Sequence, residues 1–355
     1  MRIEILGQEM ELNISNQVNG TKTISVLPWP DSRDDFLKGV DVIDIESLKI
    51  LWSKRYFGIS HRTKMFKVLY NTFVDTYQNK SNIDDELTLQ TLYCDMILRL
   101  GTILEDFAGM CSACREFNLN KTSIAEYFLA YTDPMAFFNS ISASGGRRKI
   151  KQIFRMAESK GHLNSIFKHL TDDEKELLWK GISVTTDTIF DSMKGISEAI
   201  RRETTNSVTY YDMYNKLKHG FAPIYPFLLP VPYELELVPN EMKNEEVLKE
   251  YLISGITIMH DKLSGQRSRE ESEKFNTCHL ATPTFTLDLV TKDSTDNMLA
   301  IIEEIEKLYR RLVDTYLLYA QGNKRISMLV REGELSEEEG NKILSIIDDE
   351  LRYYE

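Results

Sequence analysis

The residues best suited to chemistry stand in the stretch YNKLKHG, residues 214 to 220. Helical spacing places Asn215 and His219 one turn apart on one face, so that an amide and an imidazole point the same way. An imidazole takes up or releases a proton near neutral pH, an amide orients a phosphate or a hydroxyl, and Lys216 or Lys218 neutralises negative charge. This set of groups suits phosphodiester chemistry.

The spacing around this motif predicts two helical faces and a helix end. Tyr211 lies one turn before Asn215 on the polar face. The residues predicted to pack into the core recur at steps of 4, 3 and 4: Tyr210, Tyr214, Leu217 and Phe221. Gly220 and Pro223 end the helix after His219, where the negative end of the helix dipole favours the imidazolium form. The structural alternative is that Asn215 and His219 cap carbonyl groups while the two lysines lie in water.

The stretch YNKLKHG, preceded by a long apolar helix containing LRLGTILEDF, resembles the HEPN superfamily of α-helical bundles. Members of that family commonly carry an arginine, a polar residue, three variable residues and a histidine. Many are metal-independent ribonucleases of toxin, antiviral or CRISPR-linked systems, with a composite site formed by a dimer. The resemblance covers residues 61 to 223 and 295 to 321 and places Asn215 at the polar position and His219 at the histidine. Tyr214 stands where the family has arginine, and tyrosine cannot supply a permanent charge.

Arg99 is the leading candidate to replace the missing arginine, with Arg201 and Arg202 as alternatives. It lies on a helix predicted from Asp85 to Glu116. The polar residues of that helix recur at steps of 4, 3 and 4 and form one stripe: Asp95, Arg99, Thr102 and Asp106. In a bundle this stripe could face the stripe of Asn215 and His219. The competing interpretation is an ion pair of Arg99 with Asp95 or Asp106, because buried charges are usually paired.

The resemblance therefore implies a site, a partner and two open functions. We expect catalytic roles for His219 and Asn215, without a metal or a cofactor. Contacts with substrate are expected from Lys216, Lys218, Tyr211, Tyr214 and Arg99. The implied assembly is a homodimer, and the implied partner is RNA. The first function is an RNA-binding or RNA-cleaving effector of a bacterial defence or toxin system. If the motif is active, this effector is a metal-independent endoribonuclease. The alternative is a non-catalytic dimerising or scaffold module.

Two further clusters have spacings used in chemistry. Cys111 and Cys114 have redox or zinc spacing, and Cys278 with His279 would complete a four-ligand zinc site; alternatively, helical cysteines on an apolar segment are core residues. The stretch SGGRRK, residues 144 to 149, either holds a phosphate through backbone amides and three cations or forms a solvated loop. It lacks the ending of a P-loop.

The elements that position these residues are mainly helical. Alternating apolar residues and turn signals predict a β ribbon within residues 1–40, and helical spacing predicts a bundle over residues 41–323. The bundle is interrupted by a β-containing insertion at about 224–290 that includes YELELV and TFTLDLV, and residues 324–355 form a helical tail. The predicted fold is mainly α: a HEPN-like helical bundle with a small N-terminal β ribbon and a β-containing insertion.

Three helices have specific start or end signals. Thr171 and Glu174 have capping-box spacing ahead of one helix, and Ser336 and Glu339 have it ahead of the last. The last long helix is predicted from Thr295 to Gln321, with glycine following it.

Composition excludes several classes of protein. In 355 residues the formal net charge is −12, which opposes general attraction to phosphate backbones, so an RNA contact requires a local basic site. Four cysteines are too few for a disulfide framework and favour a reducing compartment. There is no apolar run of about 18 residues and no signal-peptide pattern at the start, so we expect a cytoplasmic protein.

Overall fold

Helices make up most of the chain that the structure describes. The computed structural model describes residues 1–5, 8–16, 20, 22–28, 39–131, 134–168, 170–201, 208–220, 255–261, 283–320 and 335–352. Within these ranges the protein is mainly α with small β elements, so the predicted mainly α class and the predicted helical bundle are confirmed. None of the helices in these ranges is both long enough and apolar enough to span a bilayer.

A three-stranded antiparallel sheet opens the chain, as the alternating residues predict. Its strands are β1 (Arg2–Ile5), β2 (Gln8–Asn16) and β3 (Lys22–Pro28), in the order β1-β2-β3. Ile3 lies opposite Met10, and Leu12 lies opposite Val26. Gly20, in the connection between β2 and β3, has a φ of 80°, the left-handed conformation that the predicted turn requires.

The next elements that the structure describes in full are helical. They are α1 (Ile45–Ser53), a π-helical turn (Lys54–Gly58), α2 (Ile59–Asn79) and α3 (Ile83–Asn120). Asp44 caps α1, because its carboxylate accepts a hydrogen bond from the Ser47 amide at 2.9 Å. The range of α3 confirms the long helix predicted from 85 to 116 and extends slightly beyond both of its predicted ends.

Five helices then lead to the region of the candidate site. They are α4 (Ile124–Ala130), α5 (Pro134–Ser142), α6 (Gly146–Ile153), α7 (Lys160–Ile166) and α8 (Asp172–Arg201). The predicted capping box at the start of α8 is present. The Thr171 amide donates to Glu174 Oε2 at 2.8 Å, and the Glu174 amide donates to Thr171 Oγ1 at 3.3 Å.

The last described elements are α9 (Tyr210–Lys218), β4 (Gly255–Asp261), β5 (Pro283–Leu289), α10 (Lys292–Ala320) and α11 (Glu337–Arg352). Strands β4 and β5 pair antiparallel, so the strand predicted from TFTLDLV is confirmed, whereas YELELV lies outside the described residues. The Ser336 amide donates to Glu339 Oε2 at 3.0 Å in the capping box predicted before α11.

The chain divides into two compact units. Unit 1 comprises Met1–Thr63, Leu104–Ser197 and Glu303–Glu355, and unit 2 comprises Lys64–Ile103 and Glu198–Ile302. Inside unit 1, the Tyr316 hydroxyl lies 2.6 Å from the Cys114 carbonyl oxygen and 2.9 Å from the Ile153 carbonyl oxygen, which joins α10 to α3 and α6. The predicted boundary at 323 and most of the predicted insertion at 224–290 lie outside the described residues, and the domain boundaries stay predictions.

In unit 2, a buried hydrogen bond joins α3 to β5. The Tyr93 hydroxyl donates to Asp288 Oδ2 at 3.0 Å, and both side chains are fully buried. Burial, followed by the Asp288 charge, raises the pKa of Tyr93 well above its ordinary value. The phenol therefore stays protonated and can donate.

Candidate functional site

The motif residues stand on α9, a nine-residue helix that is fixed at both ends. At its start Thr209 and Asp212 form a capping box, in which the Asp212 amide donates to Thr209 Oγ1 at 3.1 Å and the Thr209 amide donates to Asp212 Oδ2 at 3.4 Å. At its end the Gly220 amide donates to the Leu217 carbonyl at 3.1 Å, and Gly220 has a φ of 75°. His219 is the C-cap residue, so the predicted helix end is confirmed.

The inner face of α9 packs inside unit 2. Tyr210, Met213 and Tyr214 are 7%, 0% and 2% exposed. The Tyr214 ring lies against the backbone of Gly101 in α3 so closely that a Cβ built at Gly101 would meet the ring at 2.1 Å. The Tyr210 hydroxyl donates to the Ser294 carbonyl at 3.0 Å. The predicted core face is confirmed for Tyr210 and Tyr214; Leu217 is half-buried, and Phe221 lies outside the described residues.

The outer face of α9 carries the groups that the resemblance assigns to chemistry. His219 and Lys218 are exposed, and Asn215, Lys216 and Tyr211 are half-buried. The His219 imidazole makes no hydrogen bond to any side chain or backbone group in the described ranges. Lys218 Nζ lies 5.3 Å from the centre of the Tyr214 ring, within the range of a cation–π contact. A solvent-open imidazole and an ammonium group therefore occupy the same helix end.

The polar stripe of α3 is not one continuous buried feature. Asp95, Arg99 and Thr102 are exposed, whereas Asp106 is 9% exposed. Asp106 forms its ion pairs with Lys54 Nζ at 2.5 Å and with an Arg62 Nη at 3.5 Å. In the part of the chain that the structure describes, Arg99 has no carboxylate partner. The ion pair considered between Arg99 and Asp106 is absent because Asp106 takes its cations from the π-helical turn and α2.

This buried pair was not visible in the sequence pattern. Lys54 and Asp106 are 52 positions apart, and no spacing rule joins them. Burial lowers the pKa of Lys54, while the Asp106 charge opposes that shift. Lys54 Nζ also lies 5.1 Å from the centre of the Phe128 ring. The Lys54–Asp106 ion pair therefore joins the π-helical turn to α3 inside unit 1.

The cysteine pair belongs to the core. Cys111 and Cys114 are each 0% exposed, and burial raises the pKa of both thiols well above the ordinary range. Among the described residues, no group of three or more His, Cys, Asp or Glu side chains is arranged to hold a metal ion. Cys278 and His279 lie outside those residues, so the four-ligand zinc hypothesis is not tested in full.

The basic stretch at residues 144 to 149 is partly neutralised. Arg147 Nε lies 2.5 Å from Asp187 Oδ1, and Arg148 Nε lies 2.6 Å from Glu158 Oε2. Lys149 differs, since its ammonium group donates to the Ser140 carbonyl at 3.2 Å instead of to a carboxylate. The three cations therefore do not form a common phosphate-binding turn.

Comparison with family models, with curated proteins and with solved structures gives no match to this chain. The HEPN resemblance therefore depends on the motif of α9 and on the long helix α3 that packs against it.

Proposed function

We propose that this protein is a HEPN-like RNA-binding effector of a bacterial defence or toxin system, and that it contacts RNA with the C-terminal end of α9. The supporting observation is the exposure of His219 and Lys218 at the end of a helix that is capped on both sides. In a chain with a net charge of −12, an RNA contact depends on such local cations. The proposal includes a homodimer, as the resemblance implies, and a cytoplasmic location, as the cysteine content favours.

The same groups define the chemistry that an active site here would perform. His219 would take the proton from an RNA 2′-hydroxyl, whose oxygen then attacks the adjacent phosphorus. The bond from phosphorus to the 5′-oxygen breaks, and an acid returns a proton to that oxygen, leaving a cyclic phosphate. Asn215 would orient the phosphate, and Lys218 would neutralise the developing charge. No metal is required by this sequence of steps.

A second candidate function has its own support in the position of Tyr214. The family arginine is replaced by a tyrosine that is 2% exposed and lies on Gly101. A side chain in that position holds α9 against α3 and cannot contact a phosphate. This favours the non-catalytic dimerising or scaffold module as the alternative.

Binding and cleavage of RNA can be measured separately. We expect fluorescence anisotropy with a labelled single-stranded RNA to show binding that His219→Ala and Lys218→Ala both weaken. Lys218→Ala should also lower the slope of log affinity against log salt by about 0.7, the value for one phosphate contact on a single strand. His162→Ala is the matched control, because His162 is an exposed imidazole on α7 in unit 1.

The outcomes separate the two functions. Cleavage in the presence of EDTA that His219→Ala abolishes and His162→Ala preserves would establish the nuclease. Binding without cleavage would establish an RNA-binding effector with an inactive motif. A dimer that binds no RNA would support the scaffold module, and RNA binding that neither α9 variant changes would place the contact elsewhere.

A further inference from the structure

A concave pocket opens on unit 1 among α3, α4, α5 and α6, and it contains none of the α9 residues. Its volume is about 210 Å³. The pocket is therefore smaller than a typical site for a drug-sized ligand and suits a small molecule.

The pocket combines an apolar wall with a charged rim. Phe137, Ile141 and Ile153 line it and are 7%, 0% and 0% exposed, so they form a rigid apolar base, and Phe137 is the one of the three that reaches the open space. Arg115 from α3 and Lys149 from α6 also line it. An apolar wall with a few polar groups at defined positions is the usual composition of a small-molecule site.

The two cations of the pocket are less neutralised than the neighbouring arginines on α6. Lys149 donates to the Ser140 carbonyl at 3.2 Å, and within the described ranges it contacts no carboxylate. Arg115 Nε donates to Gln152 Oε1 at 2.9 Å, which fixes the guanidinium. The Arg115 side chain is 32% exposed, and its Nη1 lies 3.5 Å from Glu116 Oε1, which is a long distance for an ion pair.

Glu116 does not cancel both charges. Its other oxygen, Oε2, accepts a hydrogen bond from Asn120 Nδ2 at 2.7 Å. The formal charge of Arg115, Lys149 and Glu116 together is +1, in a chain whose net charge is −12. Partly buried cations are usually paired, so an anion entering the pocket would complete the pairing of Arg115 and Lys149.

Two aromatic rings extend the apolar surface of the pocket. Tyr127 and Tyr131 both line it, with ring centres 6.5 Å apart and planes inclined by 32°. Aromatic rings favour offset or edge contact with another flat ring. The wall therefore suits a planar body better than a flexible polar one.

We propose that this pocket binds a small organic anion, in which a carboxylate or phosphate group is attached to a single aromatic ring. The anionic group lies between Arg115 and Lys149, and the ring lies on Phe137 and beside Tyr127. This site is independent of the RNA contact proposed for α9.

The probes for this site differ in charge but share one ring. We would record ¹⁹F NMR spectra of 4-fluorobenzoate and 4-fluorophenyl phosphate with the full-length protein, and use neutral 4-fluorobenzyl alcohol and cationic 4-fluorobenzylamine as matched controls. Saturable line broadening is expected for the anions and not for the alcohol or the amine. The two anions distinguish a carboxylate ligand from a phosphate ligand, and inorganic phosphate as competitor measures the contribution of the ring.

Substitutions then locate the bound probe. Lys149→Ala and Arg115→Ala should each weaken binding about tenfold, the loss expected for one charge-assisted hydrogen bond, and Lys149→Arg should retain most of it. Arg147→Ala is the matched control, since Arg147 is also on α6 but pairs with Asp187 and does not line the pocket. Circular dichroism of each variant shows whether weaker binding reflects loss of the fold. Lys149→Arg keeps the positive charge, so it shows whether the charge at position 149 is sufficient for binding.

Several results would overturn the proposal. They are the absence of saturable broadening by either anion at millimolar concentration, equal broadening by the neutral alcohol, and binding that Arg147→Ala weakens as much as Lys149→Ala. None of these results bears on the proposed RNA contact, because that contact is assigned to α9 and no α9 residue lines this pocket.

Discussion

The Tyr214 ring lies so close to Gly101 that a Cβ built on Gly101 would sit 2.1 Å from two ring carbons. Real side-chain contacts are never so short, so the ring and the helix that carries it would have to move. This contact packs α9 against α3 and so helps to set the positions of Asn215 and His219 on the outer face of α9.

We therefore expect Gly101→Ala to destabilise the protein, although alanine normally favours a helix. The clash should cost about 3 kcal/mol, the upper end for overpacking, against a gain of about 1 kcal/mol in helix propensity, so the free energy of unfolding should decrease by about 2 kcal/mol. Urea denaturation followed by circular dichroism measures the change. Gly195→Ala in α8 is the matched control, because a Cβ there has no atom within 4 Å, and it should increase stability. Equal effects at the two glycines would contradict the packing of Tyr214.

The capping box of α9 gives a second prediction. Thr209→Ala removes the oxygen that accepts from the Asp212 amide at 3.1 Å, and should lower stability by about 0.5–2 kcal/mol. Because α9 is short, its first turn should fray, and hydrogen exchange of its amides should become faster. Thr171→Ala, at the capping box of α8, is the control and should leave exchange in α9 unchanged. Protection in α9 that survives Thr209→Ala would show that tertiary packing alone holds the helix.

Local patterns predicted the helices because the forces that set their ends act within a few residues. Thr171 with Glu174 and Ser336 with Glu339 form the expected capping boxes. The apolar spacing of α3 was also sufficient, since burial on most sides leaves few polar positions. The Thr209 and Asp212 cap has the same kind of local signal and could have been found in the same way.

The environment of the site could not be predicted from spacing. A helical stripe gives the side of a helix but not which part of that helix is covered, so Asp95, Arg99 and Asp106 were expected to share one environment. In the structure Asp106 is buried and Arg99 is exposed. The partner of Asp106, Lys54, comes from a distant part of the chain, and so does Gly101, the partner of Tyr214. The proximity of both pairs follows from tertiary packing.

The ion pair of Lys54 with Asp106 gives a third prediction. The two side chains are 14% and 7% exposed, so Asp106→Asn leaves a buried ammonium group without its counter-charge and should lower stability by about 3–5 kcal/mol. The double variant Lys54→Met with Asp106→Leu removes both charges and should be far less destabilising. Urea denaturation of the three proteins measures both effects.

An exposed ion pair is the control for this experiment. Arg147 and Asp187 are 58% and 51% exposed, so Asp187→Asn should change stability by less than about 1 kcal/mol. A loss at Asp106 no larger than the loss at Asp187 would show that water reaches the Lys54 pair.

Tyr316 gives the fourth prediction, a dependence of stability on alkaline pH. Burial raises the pKa of this phenol well above its ordinary value, with the neighbouring Cys114 as a smaller cause. Above about pH 10 the unfolded chain loses the phenolic proton while the folded chain keeps it, so the folded state binds more protons and stability falls as pH rises. This one group contributes a fall of about 1.4 kcal/mol for each pH unit between the two pKa values.

Tyr316→Phe should remove that contribution and make the alkaline decrease in stability less steep. Near neutral pH the same variant should be less stable by about 1–2 kcal/mol, because the carbonyl groups of Cys114 and Ile153 lose their hydrogen-bond donor. Guanidinium denaturation near neutral pH measures the loss of the hydrogen bonds, and the same measurement at several values above pH 10 gives the steepness of the alkaline decrease. Tyr77→Phe, at a partly exposed tyrosine of α2, is the control for removing a phenolic hydroxyl elsewhere in the helices. An alkaline decrease as steep in Tyr316→Phe as in the wild type would mean that the Tyr316 phenol ionises in the folded protein as readily as in the unfolded chain.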